Sequence, residues 1–257
     1  MLLAFAAPMA WLCASSLLVN GEFGLANYRQ YLGDPYYLGV IRNSLLIGIS
    51  TTLITLLLAY PAAFAMAKCP VWAQSLILAL VFVPLTVGVI VKTFGWTIVL
   101  RSNGVVNVVL LNLGLIDSPL RLLFTPTALI AGMSNVFLPY MLLPIYSVVR
   151  MIDRRYLDAA ASLGAGPVYR FFHVLVPLSL PGVIAGVSLV FSLSIAAYVT
   201  PLMLVGDRFG TMSVTIARGF LYVGNPALGA TMAVILLIIT ATIVMLSGRV
   251  ARGRARS

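Results

Sequence analysis

The stretch "SLLIGISTTLITLLLAYPAAFAMA", residues 44–67, contains no charged side chain and is apolar along nearly its whole length. A helix needs about 20 mostly apolar residues to cross the hydrocarbon core of a bilayer. Strands of a membrane barrel are shorter and alternate apolar with polar residues, which this run does not do. The stretch therefore predicts a transmembrane helix.

The composition of the whole chain agrees with that prediction. Of its 257 residues, 61% are hydrophobic and 9% are charged, whereas charged residues make up about 25% of a typical soluble domain. No polar block is long enough to fold as a separate soluble domain. We therefore expect one transmembrane domain over residues 1–257.

Six segments have the length and composition of a membrane-spanning helix. They are residues 2–19, 44–67, 75–94, 128–149, 182–204 and 228–247. The first also resembles the apolar core of a signal peptide, but Pro8 and Trp11 interrupt it and it lacks a basic leading region, which favours a span. The predicted fold is all-α, a polytopic membrane protein with six transmembrane helices.

The basic residues predict the orientation of these spans. The net charge of +10 lies beside apolar segments, where membrane topology explains it better than binding to nucleic acid. Basic residues concentrate in the loop between Arg150 and Arg170 and in the tail that starts at Arg249. Because cytoplasmic loops carry an excess of Lys and Arg, we expect this loop and both termini in the cytoplasm.

The sequence lacks the residue patterns of several enzymes. It has no glycine-rich phosphate loop for ATP hydrolysis, no H-E-x-x-H motif and no serine elbow, so no catalytic residue is predicted. The single histidine, His173, excludes a multi-histidine metal site. The two cysteines lie far apart in sequence, so neither a disulfide framework nor a cysteine metal site is supported. All six acidic residues fall outside the predicted spans, which disfavours proton-coupled transport.

The most polar long stretch is "YLDAAASLGAGPVYRFFHVLVPLSLPG", residues 156–182, between the fourth and fifth predicted spans. Its apolar positions follow helical spacing on both sides of Gly164, which we expect to break the helix. Pro167 suits the first turn of a second helix. Pro177 and Pro181 are expected to end that helix before the fifth span.

Periodicity alone leaves two interpretations of this loop open. Its small residues would let another protein surface approach closely, which favours docking. Alternatively, the loop is an interfacial hairpin whose arginines, Arg154, Arg155 and Arg170, lie against anionic lipid.

The residue types favour docking. "DAAASLG" followed by "VLVP" resembles the signature of the inner-membrane permease subunits of binding-protein-dependent ABC importers. That signature has Glu-Ala-Ala, three residues, Gly, nine residues, Ile, one residue and Leu-Pro. This chain keeps the spacing, with Asp in place of Glu and Val in place of both Ile and Leu. The matching coupling residues are Asp158, Ala159, Ala160, Gly164, Val174 and Pro177.

The resemblance implies the architecture of a type I ABC importer permease in the bacterial inner membrane. Residues 150–181 would be the cytoplasmic coupling loop, seated in a cleft of an ATP-binding subunit. ATP and Mg²⁺ would bind that partner, with no cofactor or metal on this chain. The other implied partners are a second permease subunit, forming a heterodimer, an extracytoplasmic solute-binding protein and membrane lipid.

Softer similarity extends to other stretches. "NYRQYLGDPYYLGVIRNSLLIG", "GLIDSPLRLLFTPTALI" and "AAYVTPLMLVG" resemble the spermidine/putrescine-type branch, in particular its first permease subunit. This implies a polyamine or a related amine or amino-acid-like solute. Polar or aromatic residues within the spans are candidates for its path, although each also suits helix packing. They are Asn135, Tyr140, Ser194, Tyr198 and Thr200.

Two other functions compete with an importer permease, which is itself not an enzyme. A membrane scaffold or assembly protein would use the basic loop to bind lipid or a partner without ATPase activity. A passive channel would allow flux of the solute without ATP.

Overall fold

A computed structural model of the chain describes residues 2–19, 22–153 and 155–254. Arg154, predicted to lie against lipid in the hairpin interpretation, is outside the described residues. The helices are α1 (Leu2–Ser16), α2 (Ala26–Gly33), α3 (Pro35–Lys68), α4 (Val71–Thr86), α5 (Val89–Val99), α6 (Val105–Asn112), α7 (Pro126–Met151), α8 (Arg155–Ser162), α9 (Pro167–Arg170), α10 (Val176–Ala196), α11 (Val199–Leu204), α12 (Met212–Leu221) and α13 (Pro226–Arg254). A π-helical turn, Phe171–Leu175, joins α9 to α10, and a 3₁₀ turn, Gly206–Arg208, follows α11.

The all-α prediction is confirmed. In the described part of the chain, the sole sheet is a pair of two-residue antiparallel strands, β1 (Leu18–Val19) and β2 (Glu22–Phe23). This pair directly follows α1, so the first predicted span, residues 2–19, is helical only as far as Ser16. Its 15 residues are fewer than the roughly 20 that a perpendicular span needs.

Four helical units in the described chain are long and apolar enough to cross a membrane. They are Pro35–Lys68, Pro126–Met151, Pro167–Ala196 and Pro226–Arg249. They contain the second, fourth and sixth predicted spans and most of the fifth. Counting α4 and α5 together as one bent span gives up to five, so six is not reached by length and composition.

The third predicted span, residues 75–94, is not a continuous helix. Helix α4 ends at Thr86, α5 begins at Val89, and the two helices are bent by 97°. Val87 between them is extended, and Gly88 also leaves the helical conformation, with φ −54° and ψ 144°. Pro84 removes a helical hydrogen-bond donor one turn earlier and Gly88 favours helix poorly, so an apolar run that reads as one span contains a sharp corner.

The fifth predicted span, residues 182–204, is displaced along the sequence. The helix runs from Pro167 to Ala196 without ending at Pro177 or Pro181, contrary to our expectation. In the π-helical turn the Val176 N–H donates to the Phe171 carbonyl, five residues back, and this wider turn accommodates the proline that follows.

The same helix breaks at its other end. Ala197 adopts an extended conformation and α11 starts two residues later. Pro201 lies four residues after Ala197, and a proline ring clashes with the helical carbonyl at that distance. The break separates α11 from α10 within the predicted fifth span.

Helices α3, α7 and α10 form the centre of the bundle. Helix α7 is the most enclosed of the long helices: 61% of the residues in its apolar 18-residue segment are buried. Two glycines allow α10 to lie against it: a Cβ added to Gly182 would be 2.7 Å from the Pro144 carbonyl, and one added to Gly186 would be 2.8 Å from Met141 Sδ. Small residues permit the close van der Waals packing that stabilises helix pairs in a bilayer. The bundle therefore holds the loop between α7 and α10 at one of its ends.

Candidate functional site

The first part of that loop is helix α8, whose two ends are capped. The Asp153 carboxylate accepts a hydrogen bond from the Arg155 N–H at 2.9 Å and so caps the start of the helix. At the other end Gly164 has φ +84°. The Gly164 and Ala165 N–H groups donate to the carbonyls of Ala161 and Ala160, which is the Schellman arrangement. Gly164 therefore ends the helix, as predicted, because residues with a Cβ disfavour that conformation.

The second part of the loop starts at the extended residue Gly166, and Pro167 occupies the first position of α9. The helix–glycine–helix prediction is therefore confirmed. Helix α9 passes through the π-helical turn directly into α10. The second loop helix and the long helix behind it thus form one continuous rod.

A groove of about 470 Å³ opens between the two loop helices. It is lined by Ala160, Leu163, Gly164, Ala165, Gly166 and Tyr169. The Leu163 side chain is 89% exposed beside it, and Val168 and Phe172 are also exposed. An apolar surface on a short helical loop at the end of the bundle is typical of a site that another protein covers.

Two of the six predicted coupling residues, Ala160 and Gly164, line this groove. Asp158 does not. It lies two residues before Ala160, about 200° around the helix, and lines a different cavity on the side of the loop that faces the bundle. Ala159 is exposed at the surface of α8.

The remaining two coupling residues lie beyond the groove. Val174 is half-buried in the π-helical turn, and Pro177 is exposed at the start of α10. The residues that carry the resemblance thus lie at the groove, on the opposite side of α8, in the π-helical turn and at the start of α10.

An aromatic cluster connects the loop to α3. The Phe171 ring lies 5.7 Å from the Phe64 ring and 6.1 Å from the Tyr60 ring, centroid to centroid, in edge-on geometry. The Tyr60 hydroxyl also shares a 3.0 Å hydrogen bond with the Ser179 hydroxyl of α10. A displacement of the π-helical turn would therefore act directly on α3.

The predicted path residues divide into separate environments. Asn135 is exposed on α7 and accepts a 3.3 Å hydrogen bond from Trp96 Nε1 of α5. Thr200 is buried and shares a 3.2 Å hydrogen bond with the Thr93 hydroxyl, one turn before Trp96. Asn135 and Thr200 therefore both contact α5.

The other three predicted path residues lie apart from this pair. Tyr140 is partly exposed on α7 and contacts Phe137 edge-on. Ser194 is buried, and its hydroxyl has no hydrogen-bond partner among the described residues. Tyr198 lines a groove that α12 and α13 help to form. The structure thus does not bring all five residues to one surface.

Sequence reasoning missed Trp96 and Thr93, which form the polar contacts between α5 and the candidate path. Their signal was present in "KTFGWT", a polar and aromatic cluster within an apolar segment. Among the described residues, no group of three or more His, Cys, Asp or Glu side chains is arranged to hold a metal ion.

Comparison with known proteins gives a family for this architecture. The profile of the family described as "Binding-protein-dependent transport system inner membrane component" matches residues 35–256. The spermidine/putrescine transport system permease protein PotB of Escherichia coli strain K12 is 34% identical over 234 residues, which cover 91% of this chain and 85% of PotB.

Solved structures share the fold. One is a chain of a bacterial alginate ABC transporter in complex with alginate pentasaccharide-bound periplasmic protein. It aligns with a TM-score of 0.78 at 15% identity, covering 96% of this chain and 88% of that chain. A chain of the MetNI methionine ABC transporter, in an inward-facing conformation, aligns with a TM-score of 0.62 at 16% identity, covering 86% and 98%.

Proposed function

We propose that this chain carries a polyamine or a related small amine or amino-acid-like solute. The premise is that it belongs to the family of binding-protein-dependent transport system inner membrane components. As a member of that family, it is a permease subunit of an ABC importer and a multi-pass inner-membrane protein. The solute class is inferred from the polyamine permease with which the chain shares 34% of its residues over most of its length.

The observation that carries the coupling role is the groove between α8 and α9. It combines small residues, Ala160 and Gly164, with the exposed side chain of Leu163. Small residues admit the surface of a partner, and an exposed leucine contributes apolar area when covered. We assign this groove to contact with an ATP-binding subunit, which would bind ATP and Mg²⁺ and hydrolyse the nucleotide.

The same geometry suggests how closure of the ATPase would move the permease. A force on the loop would pass along the continuous helix Pro167–Ala196 and, through Phe171, to α3. The breaks at Val87–Gly88 and at Ala197 are where the backbone leaves regular helix and would absorb the movement. The first break adjoins α5, which carries Trp96, and the second adjoins α11, which carries Thr200.

The remaining parts of the proposal concern partners and orientation. A second permease subunit would supply the other half of the path, and an extracytoplasmic binding protein would deliver the solute. The basic loop and both termini would lie in the cytoplasm, consistent with the positive-inside rule. Asp158, Ala159, Val174 and Pro177 would support the coupling surface, and Asn135, Tyr140, Ser194, Tyr198 and Thr200 would contribute to the path.

Co-purification tests the coupling role. The tagged chain is expressed with its genomic neighbours and extracted in mild detergent, and the retained subunits are identified for the wild type and for Ala160→Glu. We expect the wild type to retain an ATP-binding subunit and Ala160→Glu to lose it, because the glutamate fills the groove and places an uncompensated charge in an apolar contact.

A matched control places the same charge on the same helix. Ser162 lies about 200° around α8 from Ala160 and is exposed, so Ser162→Glu is expected to keep the ATP-binding subunit. Retention of the subunit by Ala160→Glu would contradict the assignment of the groove. A wild-type chain that retains no ATP-binding subunit would instead favour a scaffold, and solute flux that continues without ATP would favour a channel.

A further inference from the structure

A second cavity, of about 420 Å³, lies behind the coupling loop. It is open to solvent on one side and lined by the C-terminal ends of α3 and α7 and by the side of the loop that faces the bundle, with Lys68, Arg150 and Asp158 exposed at its mouth. Three of its lining side chains are basic, Lys68, Arg150 and Arg170, and Asp158 is the sole acidic one. The cavity is distinct from the groove between α8 and α9, with which it shares no lining residue.

The charges around this cavity are not balanced by the protein. Three formal positive charges face one negative charge, and among the described residues none of the four takes part in an ion pair. Arg170 Nε is buried and has no hydrogen-bond partner in the described part of the chain. A buried charged donor without an acceptor is costly, so the arrangement is suited to an anion that supplies oxygen acceptors.

The remaining walls of the cavity are apolar. Phe64 of α3 and Leu157 of α8 are among the apolar side chains that line it. Lys68 and Arg150 are in the last turns of two helices long enough to span a membrane, which places the cavity near the boundary between hydrocarbon and headgroups. An amphiphile with a phosphate beside the cations and an apolar part along the other wall fits both surfaces.

We propose that this cavity binds the phosphate headgroup of an anionic membrane phospholipid, with Lys68, Arg150 and Arg170 as its cationic ligands. The lipid would join the loop to the ends of α3 and α7, because Arg170 belongs to the loop and the other two cations belong to the long helices. Binding goes beyond the proposed transport function and does not depend on which solute is carried.

Native mass spectrometry of the full chain tests the site. The chain is released from vesicles of phosphatidylcholine and phosphatidylglycerol in equal amounts, and the lipid retained by each chain is identified. We expect the wild type to retain phosphatidylglycerol preferentially. Arg170→Gln and, separately, Lys68→Gln should each reduce that retention about fivefold, the effect of roughly one basic residue near an anionic headgroup.

Arg155→Gln is the matched control. Arg155 is in the same loop, but its side chain is 92% exposed and does not line the cavity. The control should retain as much phosphatidylglycerol as the wild type. Equal losses in Arg155→Gln and Arg170→Gln would overturn the proposal, because lipid retention would then reflect general surface electrostatics. The absence of a preference for phosphatidylglycerol in the wild type would overturn it as well.

Two further arms identify the source of the anion. Excess glycerol 3-phosphate should not displace the retained lipid, and displacement would assign the cavity to a soluble phosphate. The lipid should also stay bound when the ATP-binding subunit co-purifies with the chain. Its loss in that complex would overturn the proposal in favour of an acidic group of the partner protein, while failure to co-purify would bear only on the coupling role.

Discussion

The Phe171 ring of the π-helical turn lies edge-on to the Phe64 ring of α3, with centroids 5.7 Å apart. This contact joins the last part of the loop between α7 and α10 to a transmembrane helix that is distant in sequence. Because Phe171 also contacts Tyr60, two aromatic pairs connect the loop to α3.

Loss of this cluster should uncouple the loop from α3. Edge-on aromatic pairs contribute about 0.5–1.5 kcal/mol each, so Phe171→Ala is expected to lower solute uptake per ATP hydrolysed by roughly tenfold while the ATP-binding subunit stays bound. Uptake and ATP hydrolysis are measured together in proteoliposomes. Tyr156→Ala, which removes a 59% exposed ring from α8 in the same loop, should keep the wild-type ratio. An unchanged ratio in Phe171→Ala would mean that the aromatic cluster does not transmit the movement.

Gly182 should not tolerate a side chain. An added Cβ would lie 2.7 Å from the Pro144 carbonyl and 3.1 Å from the Ile145 Cα, both backbone atoms that cannot move aside independently. Overpacking of this kind costs about 1–3 kcal/mol, so Gly182→Ala is expected to lower the Tm by several degrees. Thermal unfolding in detergent measures it.

Gly39 provides the control for that substitution. It lies in α3 with no atom within 4 Å of an added Cβ. Gly39→Ala should therefore be neutral or stabilising by about 0.5–1 kcal/mol, because alanine favours helix more than glycine. Equal Tm values for the two variants would show that α7 and α10 have room to separate.

Tyr31 predicts a change in stability at high pH. Its side chain is 0% exposed in α2, and its hydroxyl has no hydrogen-bond partner among the described residues. Burial raises the pKa of the Tyr31 phenol above its ordinary value, with a smaller contribution from neighbouring Tyr37. The native state thus holds the neutral phenol, so its stability is fully present below about pH 10 and decreases as the pH rises beyond the pKa of the unfolded chain.

Tyr31→Phe removes both the titration and the unpaired hydroxyl. At pH 7 the free energy of unfolding of the variant should equal that of the wild type or exceed it by about 1 kcal/mol. As the pH rises from roughly 9 to 11, through the ordinary tyrosine pKa, the Tm of the variant should fall less than that of the wild type. Tyr222→Phe, at a 79% exposed ring outside this tyrosine cluster, should keep the wild-type pH profile. A wild-type profile in Tyr31→Phe would indicate that other groups govern stability at high pH.

The hydrogen bond between Trp96 and Asn135 tests the proposed solute path. Trp96→Phe removes the indole donor and leaves Asn135 unrestrained at the exposed side of α7. A neutral hydrogen bond contributes about 0.5–1.5 kcal/mol, so we expect the KM for uptake to rise about two- to tenfold with the ATP-binding subunit still bound. Trp72→Phe makes the same change at a 72% exposed indole in α4 and should leave KM unchanged. The same KM in both variants would remove Asn135 from the path.

The loop between α7 and α10 was predictable because its structure depends on local chemistry. Gly164 adopts a positive φ that suits glycine, and Pro167 starts a helix because its missing donor is not needed there. The prolines of the long helices were harder to interpret. Pro177 and Pro181 continue within a helix because a π-helical turn precedes them, whereas Pro201 coincides with a break. Sequence does not indicate which outcome applies, because each depends on how neighbouring helices satisfy the backbone.

The sequence by itself determined that the chain is an all-α membrane protein with a helix–glycine–helix loop and motif spacing of importer permeases. Apolar length and turn chemistry act within a few residues of each other, so they can be recognised in one chain. Only the tertiary structure decided the 97° corner between α4 and α5, the separation of the path residues, and the cavity that gathers Lys68, Arg150 and Arg170. These features depend on contacts between residues far apart in sequence. In a bilayer every span is hydrophobic, so such contacts are selected by close packing and polar pairing rather than by hydrophobicity.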